Sequence, residues 1–205
     1  MMVVLAPPAA TANETECVGV LPFGRHDDVM VPSGADCVID GKVIVGNLKI
    51  EKGAGVVTIQ NTQIQGNVEG EEFDSFNLLS SAVEGSVQLK RQATSVQVCN
   101  STVRGDVQVE EGMGGGIEIG NWPTCPGNTL TTGNIKVEKN VLTVRSRIEA
   151  NVVKRGNIQV VENLGRINIF ANQVPRGDLQ CEKNFPRPTG GSNVAKKMEG
   201  QCRAM

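Results

Sequence analysis

Two groups of residues in this chain have side chains that could act on a substrate. Glu110 and Glu138 each stand five residues after a glycine, Gly105 and Gly133. Two carboxylates facing one groove about 5–10 Å apart are what glycoside hydrolysis requires. Arg145, Arg147, Lys154, Arg155, Arg166 and Arg176 concentrate in the last third of the sequence. A basic patch attracts an acidic polymer, and a lysine or arginine can serve as the base of an eliminating lyase.

Each group also has a plainer explanation. Glu51, Glu71, Lys90 and Glu182 follow other glycines by the same five residues, and such a column is what a solvated turn produces. Spread-out cations suit a solvated face. His26-Asp27-Asp28 lacks further ligands at fixed spacing and reads as a loop. A Ser/His/Asp signature, a phosphate-cradling glycine loop and a C-x-x-C pair are all missing from the sequence. The expectation is therefore no catalytic residue, no metal and no cofactor. If a ligand binds, the residues expected to touch it are Trp122, Arg145, Arg147, Arg155 and Arg176. Trp122 is the single tryptophan and lies in the stretch GNWPTCPGN, residues 120–128. Long loops on rigid scaffolds carry function, although this one also reads as a packed decoration held by a disulfide.

The elements that position these residues come from a repeat. Gly46, Gly66, Gly85, Gly105, Gly133, Gly156 and Gly177 recur at spacings of 20, 19, 20, 28, 23 and 21. Two residues after each comes Leu48, Val68, Val87, Val107, Ile135, Ile158 or Leu179. A second alternating pair follows in Val57/Ile59, Val96/Val98, Ile117/Ile119 and Ile167/Ile169, and one more apolar residue precedes the next glycine. Alternation of apolar and polar residues is the period of a strand with one face buried. Three strands this short cannot close a sheet within one unit, but they can pair with the same strands of the units above and below. The expected fold is all-β: a right-handed parallel β-helix of about seven three-strand coils, near 34 Å long at about 4.8 Å per coil.

Two further columns fit the repeat. Asn61, Asn100, Asn128, Asn151 and Asn172 precede glycines by five residues, as expected of a structural asparagine ladder at one bend. Lys52, Glu72, Arg91, Glu111, Lys139, Glu162 and Lys183 follow glycines by six and alternate in sign. In a stack each would lie between opposite charges, so a one-coil slip would oppose like charges.

The six cysteines assign the ends. Cys37 falls on an inward position shared with Val57 and Val96, and Cys181 on one shared with Val137 and Val160. Pairing Cys17–Cys37 and Cys181–Cys202 pins the two ends. Cys99 faces outward by parity and meets Cys125 of the insertion. Residues 1–16 read as a signal remnant or disordered lead, 17–42 as an N-terminal cap and partial coil, 43–184 as the β-helix and 185–205 as a C-terminal cap and tail. Three disulfides imply an oxidising compartment, secreted or at the cell surface. The net charge of −2 gives no global field for nucleic acid, and no apolar run of about 18 residues spans a membrane. There is no tyrosine and there are five phenylalanines, so a platform of exposed aromatics for carbohydrate is not expected.

The G-[ND]-[VIL]-x-V coils resemble bactofilins, polymer-forming bacterial β-helix proteins, over roughly residues 43–184. The stretch from GDLQCEKNFPRPTGG to the end is similar to the tails of secreted bacterial β-helix repeat proteins of unassigned function. The resemblance implies the fold and end-to-end assembly, which pinned ends oppose. The function expected is an exported, non-catalytic structural or surface-binding β-helix, with self-association or an acidic polysaccharide as partner. The alternatives are a polysaccharide-active enzyme or acidic-glycan binder using the late basic residues, and a subunit of an extracellular filament.

Overall fold

The computed structural model describes residues 14–121 and 123–205, and over them the chain is a parallel β-solenoid. One coil is Gln63–Ile64, Val68–Glu71 and Ser75–Leu79; the next is Ala82–Val83, Val87–Lys90 and Ser95–Cys99. Equivalent strands pair in parallel and in register: Val68 lies between Leu48 and Val87, and Phe76 between Val57 and Val96. The two shorter strands of each coil join one long sheet and the third joins a nine-stranded second sheet. Among the described residues the single helical element is a 3-10 turn, Gln201–Ala204. Along Val87–Lys90 burial alternates as the pleat requires, Val87 and Leu89 inward, Gln88 and Lys90 outward. The interior is a continuous column of Val, Ile and Leu, each contributing about 1.5–3 kcal/mol on burial.

Among the described residues there are about nine turns rather than seven. Strand Glu14–Glu16 lies against Asp28–Val31, which lies against Leu48–Ile50. At the other end Val194–Gly200 pairs with Gln173–Glu182. The stack thus runs through the stretches assigned to caps and takes in Glu14–Glu16 of the expected lead, whose residues 1–13 lie outside the described residues. These coils escape a count based on glycine because Asp27 and Lys196 occupy its place. In the body the glycine is a matter of space: a Cβ on Gly85 would stand 2.6 Å from the carbonyl oxygen of Gly66, and one on Gly105 2.9 Å from that of Gly85. At the last coil the pairing shifts register between Val174 and Asp178.

The asparagine column divides in two. Asn61 and Asn100 are exposed corner residues with φ of 51° and 49°, in a left-handed bend shared with Ser80. Their side-chain amides donate to Asp40 and Ser80. Asn128, Asn151 and Asn172 are buried and sit one position later in the coil, in line with Thr62, Ser81 and Ser101. Each backbone N–H of this column donates to the side chain of the coil that follows: Thr62 to Ser81 (3.1 Å), Ser81 to Ser101 (3.1 Å), Ser101 to Asn128 (3.0 Å), Asn128 to Asn151 (2.9 Å), Asn151 to Asn172 (3.1 Å) and Asn172 to Asn193 (3.0 Å). In the coils of Asn128, Asn151 and Asn172 one extra residue stands between this column and the glycine, which merged two columns in the sequence. A second buried ladder runs at another corner through Gly112, Asn140, Asn163, Asn184 and Gln201.

The alternating charges stack as the sequence pattern requires. From Glu72 to Lys183 the column is a left-handed corner with φ of 52–58°. Arg91 bridges Glu72 at 3.2 Å and Glu111 at 3.7 Å, and Lys183 meets Glu162 at 2.8 Å. Disulfides join Cys17 to Cys37, Cys99 to Cys125 and Cys181 to Cys202. Separations of 20, 26 and 21 residues make each a link between successive coils.

Candidate functional site

The densest polar constellation lies on the outer face of the second sheet, where strands Ser95–Cys99, Ile117–Ile119, Ser146–Glu149 and Ile167–Phe170 stack. Strand parity and register put Gln97, Glu118, Arg147 and Asn168 in one outward column. Glu118 is its centre. It accepts from Gln97 Nε2 at 3.0 Å, from Asn121 Nδ2 at 3.0 Å and from Arg147 Nη1 at 3.2 Å. Glu149 is almost wholly buried, accepts from Asn168 Nδ2 at 2.7 Å and lies 4.0 Å from Arg147 Nε. Arg147 therefore ties two carboxylates together. The hydrogen bonds to the two carboxylates are charge-assisted, and they brace the face across four coils.

Beside this cluster is a shallow depression of about 230 Å³ lined by Asn77, Gln97, Glu118, Val144 and Arg145. Glu118 and Glu149 stand within roughly 10 Å of each other, a spacing open to glycoside chemistry, but the Arg147 guanidinium lies between them, hydrogen-bonded to Glu118 at 3.2 Å and 4.0 Å from Glu149. The arrangement suits contact with the hydroxyls of a polar polymer through amides and a guanidinium.

The expected ligand-binding residues are divided. Arg145 and Arg147 lie together here, next to the insertion through Asn121. Arg155 and Arg176 lie at the glycine corner in successive coils, directly before Gly156 and Gly177. Trp122 lies outside the described residues. The rest of its loop forms a small antiparallel bridge between Asn121 and Cys125, fastened to Cys99. Glu110 and Glu138 are direct partners in neighbouring strands, and Glu110 is paired with Lys90 at 3.4 Å. His26 is buried, with Nε2 donating to the carbonyl of Pro22 at 3.1 Å. Asp28 Oδ1 accepts from the backbone of Asn47 at 2.6 Å, the first rung of a ladder along the glycine corner.

Sequence reasoning missed Gln97, Glu118, Asn121, Glu149 and Asn168. The signal was present: the residue between the two inward aliphatics of the second strand is polar in coil after coil, at Thr58, Asn77, Gln97, Glu118, Arg147 and Asn168.

Among the described residues no group of three or more His, Cys, Asp or Glu side chains is placed to hold a metal ion, and no helix is long and apolar enough to cross a membrane. In comparisons with known proteins the chain matches no family model, no curated protein and no solved structure. Of what the likeness to bactofilins and to secreted bacterial repeat proteins implied, the parallel β-solenoid alone is shown.

Proposed function

We propose that the chain is an exported, non-catalytic β-solenoid that works as a structural or surface-binding rod of a bacterial cell envelope or extracellular matrix. The observation that carries this reading is the cross-linking between coils. Disulfides join successive coils near both ends and once within the body, and buried side-chain ladders fasten the coils between them. Disulfides form and persist in oxidising compartments. A body so braced holds its surface columns at a fixed pitch, which suits presentation of a repetitive face more than closure around a substrate.

A second reading, an acidic-glycan binder, draws on Arg145, Arg155 and Arg176. They form no ion pair among the described residues, in contrast to Arg147. A panel of neutral and acidic polysaccharides, screened for binding and for degradation, tests both. The rod reading predicts no turnover. Salt-sensitive binding lost on changing Arg145, Arg155 and Arg176 to Ala would assign the glycan role, and turnover lost in those variants would replace both readings with an enzyme.

A further inference from the structure

In four consecutive coils the corner between the two sheets carries an apolar residue on its outside. Met113, Val141, Leu164 and Phe185 are joined one above another by parallel bridges. They are 72, 39, 51 and 73% exposed, and Val144 beside them is 58% exposed. Three steps of about 4.8 Å make a stripe near 14 Å long. Surfaces of this kind mark contact sites on soluble proteins. Two residues before each member stands a charge: Glu111, Lys139, Glu162 and Lys183. These occupy the left-handed, outward corner, so the stripe is bordered along its length by a row reading minus, plus, minus, plus.

We propose that this stripe is a dimerisation surface on which a second copy of the chain docks side by side with its axis reversed. The charge row selects both the partner and the direction. Read backwards, minus-plus-minus-plus becomes plus-minus-plus-minus, so the row complements itself when one copy is turned end for end. A two-fold axis between the levels of Val141 and Leu164 sets Met113 against the partner's Phe185 and Val141 against the partner's Leu164. The same operation sets Glu111 against the partner's Lys183 and Lys139 against the partner's Glu162. Copies aligned in the same direction, turned about an axis along the rod, would carry the two charge rows to opposite borders of the stripe and forfeit these four pairings. The contact is isologous and closes at two. Its apolar part is on the order of 500 Å² per copy, at the small end for a specific contact, so the dimer is weak. The inference stands apart from the proposed export and glycan roles.

Sedimentation velocity on the intact, oxidised chain over about 1–100 µM, the range of a weak contact, tests it. The expected result is a reversible monomer–dimer equilibrium. Leu164→Asp should leave a monomer. Lys139→Glu should weaken the dimer at least tenfold, and adding Glu162→Lys to it should recover most of the loss. Direction is read by mixing Met113→Cys chains with Phe185→Cys chains and a short bis-maleimide: cross-linked pairs should form in the mixture and not in either variant alone. A monomer at every concentration, a double charge exchange no better than the single one, or cross-linking within the Met113→Cys chains alone would overturn the proposal. So would a persistent monomer that floats with anionic lipid vesicles through the same stripe.

Discussion

The ring of Phe73 fills the interior space that Gly70 leaves empty. Gly70 takes the inward position that Ile50 holds in the coil below and Leu89 in the coil above. A Cβ on Gly70 would stand 3.0 Å from Phe73 Cε1 and 3.2 Å from Ile50 Cβ. The core keeps its volume by drawing it from the next corner. Phe73→Ala should therefore open a cavity and cost about 3–5 kcal/mol. Gly70→Val in the native background should also destabilise, by overpacking. Combined with Phe73→Ala, the same valine should recover part of the loss in urea unfolding.

The side chain of Asn151 makes four hydrogen bonds in the interior ladder. It donates to Ile119 O at 2.6 Å and to Asn172 Oδ1 at 3.0 Å, and accepts from the backbone and side chain of Asn128 at 2.9 and 3.0 Å. Asn151→Ala leaves buried donors and an acceptor without partners, at about 1–3 kcal/mol each, so a loss near 3–5 kcal/mol is expected. Asn151→Ser should cost less, because Ser81 and Ser101 serve the same column in earlier coils. Equal losses for alanine and serine would deny the ladder its role.

How much of this was legible in the sequence follows from what each residue answers to. The body of the solenoid was readable because Val68, Val87 and Val107 obey a strict two-residue alternation, and because the glycines are fixed by contact with the glycine below. The end coils were not, since Asp27 and Lys196 stand where the glycine would. Asn128, Asn151 and Asn172 merged with Asn61 and Asn100 because longer coils shift the count by one, and only strand register separates a buried rung from an exposed bend. Asn140, Asn163 and Asn184 form a ladder readable in retrospect, each seven residues after its glycine. The Glu118 cluster was half legible: Gln97, Glu118, Arg147 and Asn168 follow the strand period, but Asn121 is a loop residue that no period predicts.

The Glu162–Lys183 pair gives a stability contribution bounded on two sides. Its hydrogen bond to Lys183, then the lysine charge, hold the Glu162 carboxyl below its ordinary range. The same contact holds the Lys183 ammonium above its own. A depressed carboxyl stabilises above its unfolded pKa and loses that contribution as pH falls through the folded value. A raised ammonium stabilises below its unfolded pKa and loses it as pH rises through the folded value. A double-mutant cycle with Glu162→Gln and Lys183→Met should show coupling at neutral pH that fades below the carboxylate range and again above the lysine range. At high salt it should shrink throughout, since both groups are exposed.

The disulfide of Cys181 and Cys202 fastens the last coil. Closing a loop of this length is worth about 3 kcal/mol in the chain-entropy model, and a solenoid opens from its ends. Replacing both cysteines with Ser should increase proteolysis within Val194–Gly200 while leaving the strands from Val68 to Val160 protected. Loss of protection along the entire rod would show that the coils unfold as one unit.

Side chains, and not the sheets alone, bind each coil to the next through the buried ladders. Hydrogen exchange followed by NMR at the backbone amides of Asn128, Asn151 and Asn172 tests this most directly. If the ladders hold, these corner amides exchange as slowly as those of Val107 and Ile158 in the adjoining strands. Exchange at the rate of a freely solvated amide would contradict it.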